Sequence, residues 1–253
     1  MIGLGLNIAN SSAPVNPIKP IMAGNPAAWY NESNLGTYAV NDPVNILTDS
    51  SGNEYHLAQL DSAKMPVAKI VDGKKALYFT NDTLLNSDYP VLTGSDFTMI
   101  YVGSMLSEYH TGLYIGDDDN PDNTSSFRLG RSTNNQLRAI LGDAANGAFN
   151  TGYDFVSNGN RDIAYAYQRG TNSEDIRVGL DNGVTVREKN FGVSGLDLSF
   201  GRGIGIGTNN PDDPTLTGTG NFWYLFEVIV YDRGLTDLEL AQTRKYLRQK
   251  WNV

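Results

Sequence analysis

The chain has 253 residues, the size of one large domain, with 40% hydrophobic residues, 19% charged residues and 27 glycines. Its formal charge of −9 sets the mean field of the protein against nucleic acid and anionic membrane surfaces. The absence of cysteine removes disulfides, thiolate catalysis and zinc–cysteine sites together.

The chain opens on the mildly apolar Ile2, Leu4, Leu6 and Ile8, without the basic n-region of a signal peptide and with asparagine and serine arriving too early for one. No later stretch is long and apolar enough to span a bilayer. Pro14, Pro17, Pro20 and Pro26 punctuate a segment whose sole charged side chain is Lys19, a spacing that forbids a helix and favours an extended, polyproline-like arm. Residues 1–25 therefore read as an arm that is ordered only when something holds it. A neighbouring subunit in a homo-oligomer is the natural candidate, and the chain's own body is the alternative.

From residue 26 to the end, short β-prone runs alternate with turn clusters, the rhythm of a single all-β sandwich. Phe97 to Val102 is apolar on both faces and predicts a central strand. Ile163, Tyr165 and Tyr167 share one face of a strand, as do Ile176, Val178 and Leu180 of the next, whose Asp181-Asn182-Gly183 supplies a turn. In Gly201 to Gly207, Ile204 and Ile206 alternate with glycine, which fits a glycine-rich strand; a phosphate loop would need a helix to follow, and none does. Phe222 to Tyr231 is the most hydrophobic run, with Glu227 its only charge, expected to break an aggregation-prone strand or to pair with an arginine. The period then becomes helical over 236–251. Thr236 and Glu239 form a capping box, Leu240, Leu247 and Trp251 line one face, and Arg244, Lys245, Arg248 and Lys250 put positive charge towards the C-terminal end.

In this order the residues resemble the concanavalin A-like, laminin G-like superfamily, in the form common in bacterial and phage surface proteins. Ala28-Trp29-Tyr30 resembles its opening aromatic strand, and Asp49-Ser50-Ser51-Gly52-Asn53-Glu54-Tyr55-His56 resembles its Asp-x-Ser-Gly-Asn-x-x-His turn. Pro66 followed by Gly73, Ala76, Leu77 and Phe79 resembles its next strand. Glu227 to Asp237, then Tyr246-Leu247 and Trp251, resembles its final strand and helix nearly position by position. The resemblance runs from about Trp29 to the end and is weak in the middle third. It implies a two-sheet antiparallel jelly roll with a short C-terminal helix, and members that bind glycans or proteins or serve as structural modules. Fold does not choose among those roles. The opening Gly3-Leu4-Gly5-Leu6 is similar, more loosely, to the start of many tailed-phage structural proteins.

Enzymes on this fold place acid and nucleophile on alternate positions of one strand, in a tight Glu-x-Asp-x-x-Glu pattern that is absent here. His56 and His110, the only histidines, have no serine or acid at triad spacing. His56 is expected to pack and hydrogen-bond inside its turn, and His110 to lie in a surface loop. Asp117, Asp118, Asp119 and Asp122 concentrate hard oxygen ligands in one loop; a solvated acidic surface is the ordinary reading and a Ca²⁺ site the alternative. Tyr109, Tyr114 and Tyr153, flanked by polar and glycine-rich loops, are the candidates for stacking on a sugar. No catalytic residue and no cofactor other than Ca²⁺ is expected.

These observations lead to the expectation of a non-enzymatic structural protein of a tailed-phage virion, a capsid decoration or tail-associated module. The arm residues Ile2, Leu4, Leu6, Ile8, Pro14, Pro17 and Pro20 would dock it onto other virion proteins. The alternative is a lectin-like adhesion module that recognises host surface glycans. Neither reading involves nucleic acid or a membrane.

Overall fold

The structure, a computed structural model, describes residues 24–80, 84–86, 96–105, 110–116, 127–131, 136–141, 148–154, 161–169, 176–190, 203–207 and 222–253. Among them the first strands in chain order are β1 Ala28–Tyr30, β2 Ile46–Leu47, β3 Leu57–Ala58, β4 Val67–Val71, β5 Lys74–Thr80, β6 Leu84–Asn86, β7 Phe97–Met105 and β8 His110–Gly116. They continue with β9 Phe127–Arg131, β10 Gln136–Leu141, β11 Ala148–Asp154, β12 Arg161–Gln168, β13 Arg177–Asp181, β14 Val186–Asn190, β15 Gly203–Ile206 and β16 Phe222–Tyr231. Among the described residues, two short 3₁₀ helices, Glu32–Leu35 and Ser62–Lys64, lie between the early strands, and the α-helix α1 Asp237–Trp251 follows β16.

The strands form two antiparallel sheets. The first has the order β14-β13-β12-β7-β16-β5-β4, with β1 added beside β16, and the second the order β11-β10-β9-β8-β15-β6-β3-β2. The apolar layer between them includes Met99, Tyr101, Trp223, Val228 and Val230 from the first sheet and Leu113, Ile115, Phe127, Leu129, Leu137 and Ile204 from the second. A second apolar layer lies on the outer face of the first sheet. There Ile100, Val102, Ile163, Tyr165 and Ile229 pack with Leu240, Leu247 and Trp251 of α1.

β7 and β16 carry apolar residues on both faces and stand side by side in the middle of the first sheet, where both faces are covered. β12 and β13 pair as the alternation predicted, yet their apolar sets serve opposite faces. Ile163, Tyr165 and Tyr167 look to the helix, and Ile176, Val178 and Leu180 to the core between the sheets. In β15, Ile204 and Ile206 are buried in that core as well.

Register in β16 shifts between Leu225, which opposes Gly103, and Glu227, which opposes Val102. Phe226 is the extra residue of this bulge, and the bulge turns two consecutive side chains, Phe226 and Glu227, towards the helix. The same point divides the neighbours of β16: residues 222–225 pair with β5, and 228–230 pair with β1.

Local chemistry holds the ends. β4 and β5 meet at Asp72-Gly73, both at positive φ (52° and 76°), the two-residue turn whose twist matches that of the strands. The Asp49 turn fastens β1. Its carboxylate accepts the amides of Trp29 at 2.8 Å, Ser51 at 2.8 Å and Tyr55 at 3.2 Å, while Asn53 Nδ2 donates to the Ala27 carbonyl at 2.9 Å. His56 Nδ1 accepts the Asp49 amide at 3.1 Å, the place in the turn that its sequence context predicted. His110, expected in a loop, instead opens β8, its backbone paired with Arg131.

α1 begins with the expected capping box. Thr236 Oγ1 accepts the Glu239 amide, and Glu239 Oε2 accepts the Thr236 amide at 2.9 Å. Arg233 grips the same carboxylate at 2.8 and 3.0 Å. Those Arg233 hydrogen bonds first, then the Thr236 amide, hold the Glu239 carboxyl down from its ordinary 4.5 to about 2. A depressed carboxyl pKa stabilises the folded state above the unfolded value and ceases to do so as pH falls through the folded one. Amide-exchange protection of the first helical turn should therefore persist at pH 4 and weaken as pH approaches 2. Glu239→Gln should abolish that pH dependence, and an unchanged profile would refute the assignment.

A Cβ placed on Gly179 would fall inside the ring of Tyr165, its cross-strand partner, which fills the missing volume. Gly179→Ala should destabilise the protein by about 1–3 kcal/mol through overpacking, read from the urea midpoint at constant m-value.

Candidate functional site

The outer face of the first sheet is closed by buried charge. Glu227, whose side chain is 0% exposed, accepts Trp29 Nε1 at 2.6 Å, Trp251 Nε1 and Tyr246 Oη at 3.3 Å, and pairs with Lys250 Nζ at 2.9 Å. The expected pairing with an arginine is thus replaced by a lysine, two indoles and a phenol. Burial first, then the Glu227 charge, pushes the Tyr246 phenol above its ordinary range, so it stays a donor. Asp181 makes a second clamp, accepting Arg248 Nε at 2.8 and 3.0 Å and Nη2 at 2.5 Å, with Arg244 Nη1 3.6 Å away. Arg161 Nη1 donates to the Trp251 carbonyl at 2.7 Å, where the helix leaves acceptors unmet, and its guanidinium lies 4.5 Å from the Phe226 ring centroid.

Saturated and enclosed in this way, Glu227 has neither access to a substrate nor a free lone pair with which to act on one. The nearby cavity, lined by Tyr30, Asn31, Leu35, Leu47, Leu77, Leu225, Phe226 and Glu227, has a volume of about 10 Å³, the space of one water.

The second sheet differs. Its outward positions include arginine and glycine where those of the first sheet beneath α1 are apolar. Since Phe127 and Leu129 of β9 and Leu137 and Ala139 of β10 point into the core, alternation directs Arg128 and Arg138 outward. The Arg128 guanidinium lies 5.5 Å from the centroid of Tyr114, whose residue opposes it on β8. Arg128 opposes Ile140 and Arg138 opposes Gly130, so the two arginines are diagonal neighbours, roughly 7–8 Å apart on one face. Glycines surround them: Gly130 opposite Arg138, Gly205 opposite Tyr114, and Gly203 two residues before it. Without side chains at these positions, the floor beside the arginines is backbone.

Of the expected sugar-stacking rings, Tyr114 is 3% exposed and lies beneath Arg128, so it props a guanidinium and has no open face for a pyranose. Tyr153 belongs to β11, its side chain outside the described residues. Tyr109, the acidic loop of Asp117, Asp118, Asp119 and Asp122, and the arm residues Ile2, Leu4, Leu6, Ile8, Pro14, Pro17 and Pro20 all lie outside the described residues. Among the described residues, no three acidic or histidine side chains come together as metal ligands. The arginines went unnoticed in the sequence, though Phe127-Arg128-Leu129-Gly130-Arg131 and Leu137-Arg138-Ala139 carry the period-2 signal that sets charge opposite to core.

No family model matches the chain, and no curated protein matches it. Solved structures do. The chain is similar to Trypanosoma rangeli sialidase in its covalent intermediate with 2,3-difluorosialic acid, at 15% identity and TM-score 0.56, over 94% of this chain and 36% of that one. It is also similar to a GH54 α-L-arabinofuranosidase soaked with a cyclic sulfate inhibitor, at 14% identity and TM-score 0.57, over 89% of this chain and 59% of that one. An arabinofuranosidase complexed with arabinofuranosyl-alpha-1,2-xylobiose gives 17% identity and TM-score 0.55, over 81% and 50%. At such identities the likeness is one of fold, and the chain spans between about a third and three-fifths of these enzymes. It nevertheless corrects the expectation of a tailed-phage structural protein. The structures it resembles are parts of carbohydrate-active enzymes, not virion proteins.

If the Glu227 cluster holds the helix down, Glu227→Ala should cost about 3–5 kcal/mol in urea unfolding, because Lys250 and two indole donors are left buried without a partner. The double variant Glu227→Gln, Lys250→Met should recover part of that loss. A single-variant cost below about 1 kcal/mol would disprove the clamp.

Proposed function

We propose that this chain is a non-catalytic carbohydrate-binding module, a concanavalin A-like, laminin G-like jelly roll whose ligands are surface glycans. The observation that carries the reading is the asymmetry of the two outer faces. One is apolar and sealed by α1 through Glu227 and Asp181, whereas the outward positions of the other include glycine, arginine and tyrosine, residue types suited to a polar or aromatic-stacking ligand. The fold likeness to parts of a sialidase and of arabinofuranosidases supports carbohydrate as the ligand class.

The reading as binder, not hydrolase, rests on the acids. Glycoside hydrolysis requires two carboxylates roughly 5–10 Å apart on one open face. Among the described residues of the second sheet, Asp154 is the single acid, and Glu227 is enclosed on the far side of the molecule.

A glycan array probed with the purified protein, with and without chelator, tests this. Retention on a subset of saccharides is the expected result, with no shortened product released from those same saccharides on prolonged incubation. Signal at background across the array would overturn the reading. Hydrolysis would overturn its non-catalytic half.

A further inference from the structure

We infer that Asn182-Gly183, in the turn between β13 and β14, is a site of spontaneous covalent modification, deamidation to aspartate and isoaspartate, that the fold holds shut through Asp181 and that opens with the helix clamp. The site is independent of any glycan.

The dipeptide supplies the chemistry. Where glycine follows asparagine, the glycine backbone nitrogen can attack the side-chain amide carbon one residue back, and no Cβ stands in its way. A bond forms between Gly183 N and Asn182 Cγ, and Nδ2 leaves as ammonia with the proton that Gly183 N gives up, so a cyclic imide remains. Water then adds to either imide carbonyl. Cleavage at Cγ gives aspartate at position 182, and cleavage at the backbone carbonyl gives isoaspartate, with the chain rerouted through the side chain. The reaction consumes the atoms of the turn and water, and needs no other reagent.

The folded chain holds the two reacting groups on separate partners. Gly183 N donates back along the chain to Asp181 Oδ1 at 3.0 Å. Asn182 Oδ1 is held from the other side, accepting the Val184 amide at 3.1 Å, the Thr185 amide at 2.8 Å and Thr185 Oγ1 at 3.2 Å. Asn182 N donates to the Thr185 carbonyl at 3.3 Å and closes the turn. Gly183 stands at φ 80°, and a Cβ there would collide with the backbone carbonyl of Val253, so the turn is packed against the residue beyond the end of α1. To close the imide ring, the Asn182 side chain must leave three donors and Gly183 N must turn from Asp181 towards Cγ.

That restraint reaches into the helix. The Asp181 side chain is 0% exposed and is gripped by Arg248 Nε at 2.8 and 3.0 Å, with Arg244 3.6 Å away, so α1 sets where it meets Gly183 N. Val253 N donates to the Arg248 carbonyl at 3.2 Å, which ties the cover over Gly183 to the same turn of helix. When the last turns of α1 lift, Asp181 and Val253 release the turn together. A reaction confined to the open form runs at the unfolded-chain rate multiplied by the open fraction, so a turn open about one part in a hundred reacts about a hundredfold more slowly than free chain. Once formed, the product resists reclosure. Aspartate at position 182 sets a second carboxylate beside Asp181, and isoaspartate lengthens the backbone by a methylene where Val253 packs. The turn thereby records helix opening.

Peptide mapping by mass spectrometry, on the purified chain held in mildly alkaline buffer, tests this. Asn146-Gly147 and Asn158-Gly159 carry the same dipeptide and in urea calibrate its intrinsic rate. In urea Asn182 should convert at a rate like theirs and give both products; in the folded wild type it should convert at least about tenfold more slowly than in urea. Arg248→Gln should raise the folded rate by about tenfold, with Tm and amide-exchange protection of β7 showing that the sandwich stands. Thr185→Val removes one donor to Asn182 Oδ1 from an exposed position without touching the clamp, and should raise the folded rate by less. Chain converted in urea and refolded should show weaker exchange protection of α1 than unconverted chain treated in the same way.

Conversion of Asn182 in the folded wild type as fast as in urea would overturn the restraint, and no conversion in urea would overturn the site itself. A folded Arg248→Gln protein whose Asn182 reacts at the wild-type rate would overturn the coupling to the helix. If that variant fails to fold, the wild type decides. Urea raised below the unfolding transition should speed Asn182 conversion in step with amide exchange in the last turn of α1, and a rate that follows global unfolding alone would overturn the coupling.

Discussion

One buried carboxylate organises half of this molecule. Glu227 sits at a bulge in the central strand, and the bulge is what allows it to face the helix beside Phe226 without leaving the ladder to β7. Removing a charge from water is costly unless every lone pair is met, and here the donors come from two separate stretches of chain: Trp29 from the first strand, and Tyr246, Lys250 and Trp251 from the helix. Burial of the acid therefore requires the N-terminal strand, the last strand and the helix to be in place at once. Asp181 repeats the device at the other side of α1 through Arg248 and Arg244. Apolar packing of Leu240, Leu247 and Trp251 supplies the area, and the two acids set where along the sheet the helix lies.

That arrangement decides where a ligand can go. A sheet has two faces, and in a sandwich one face of each is spent on the common core. The helix occupies the outer face of the first sheet, and no ligand can reach that sheet there. The residues on the outer face of the second sheet differ in kind from those beneath the helix. Glycines and arginines stand where the other sheet has isoleucine, valine and tyrosine. The apolar face requires cover, whereas a face of glycine and arginine does not demand it.

Sequence patterning reached a good part of this because its signals are local. The capping box of Thr236 and Glu239, the apolar stripe at Leu240, Leu247 and Trp251, and the doubly apolar runs of β7 and β16 each depend on spacing along one segment. The Asp49 to His56 turn is legible for the same reason, its hydrogen bonds spanning a few residues. Tyr114 shows the limit. A tyrosine beside polar loops reads as a rim residue, but its exposure depends on Arg128 from the neighbouring strand, and cross-strand neighbours are not visible in a single segment.

From the sequence alone come the strand periods, the turn chemistry and the capped helix, since each follows from residue type and local repeat. Tertiary structure decided the rest. That Glu227 answers two tryptophans and a lysine, that Ile163 and Ile176 serve opposite faces of one sheet, and that Arg128 and Arg138 are diagonal neighbours on the outer face of the other are facts of register and bulge. A shift of one residue in pairing would send each of those side chains to the opposite side, and nothing in a strand's own period says which neighbour it will have.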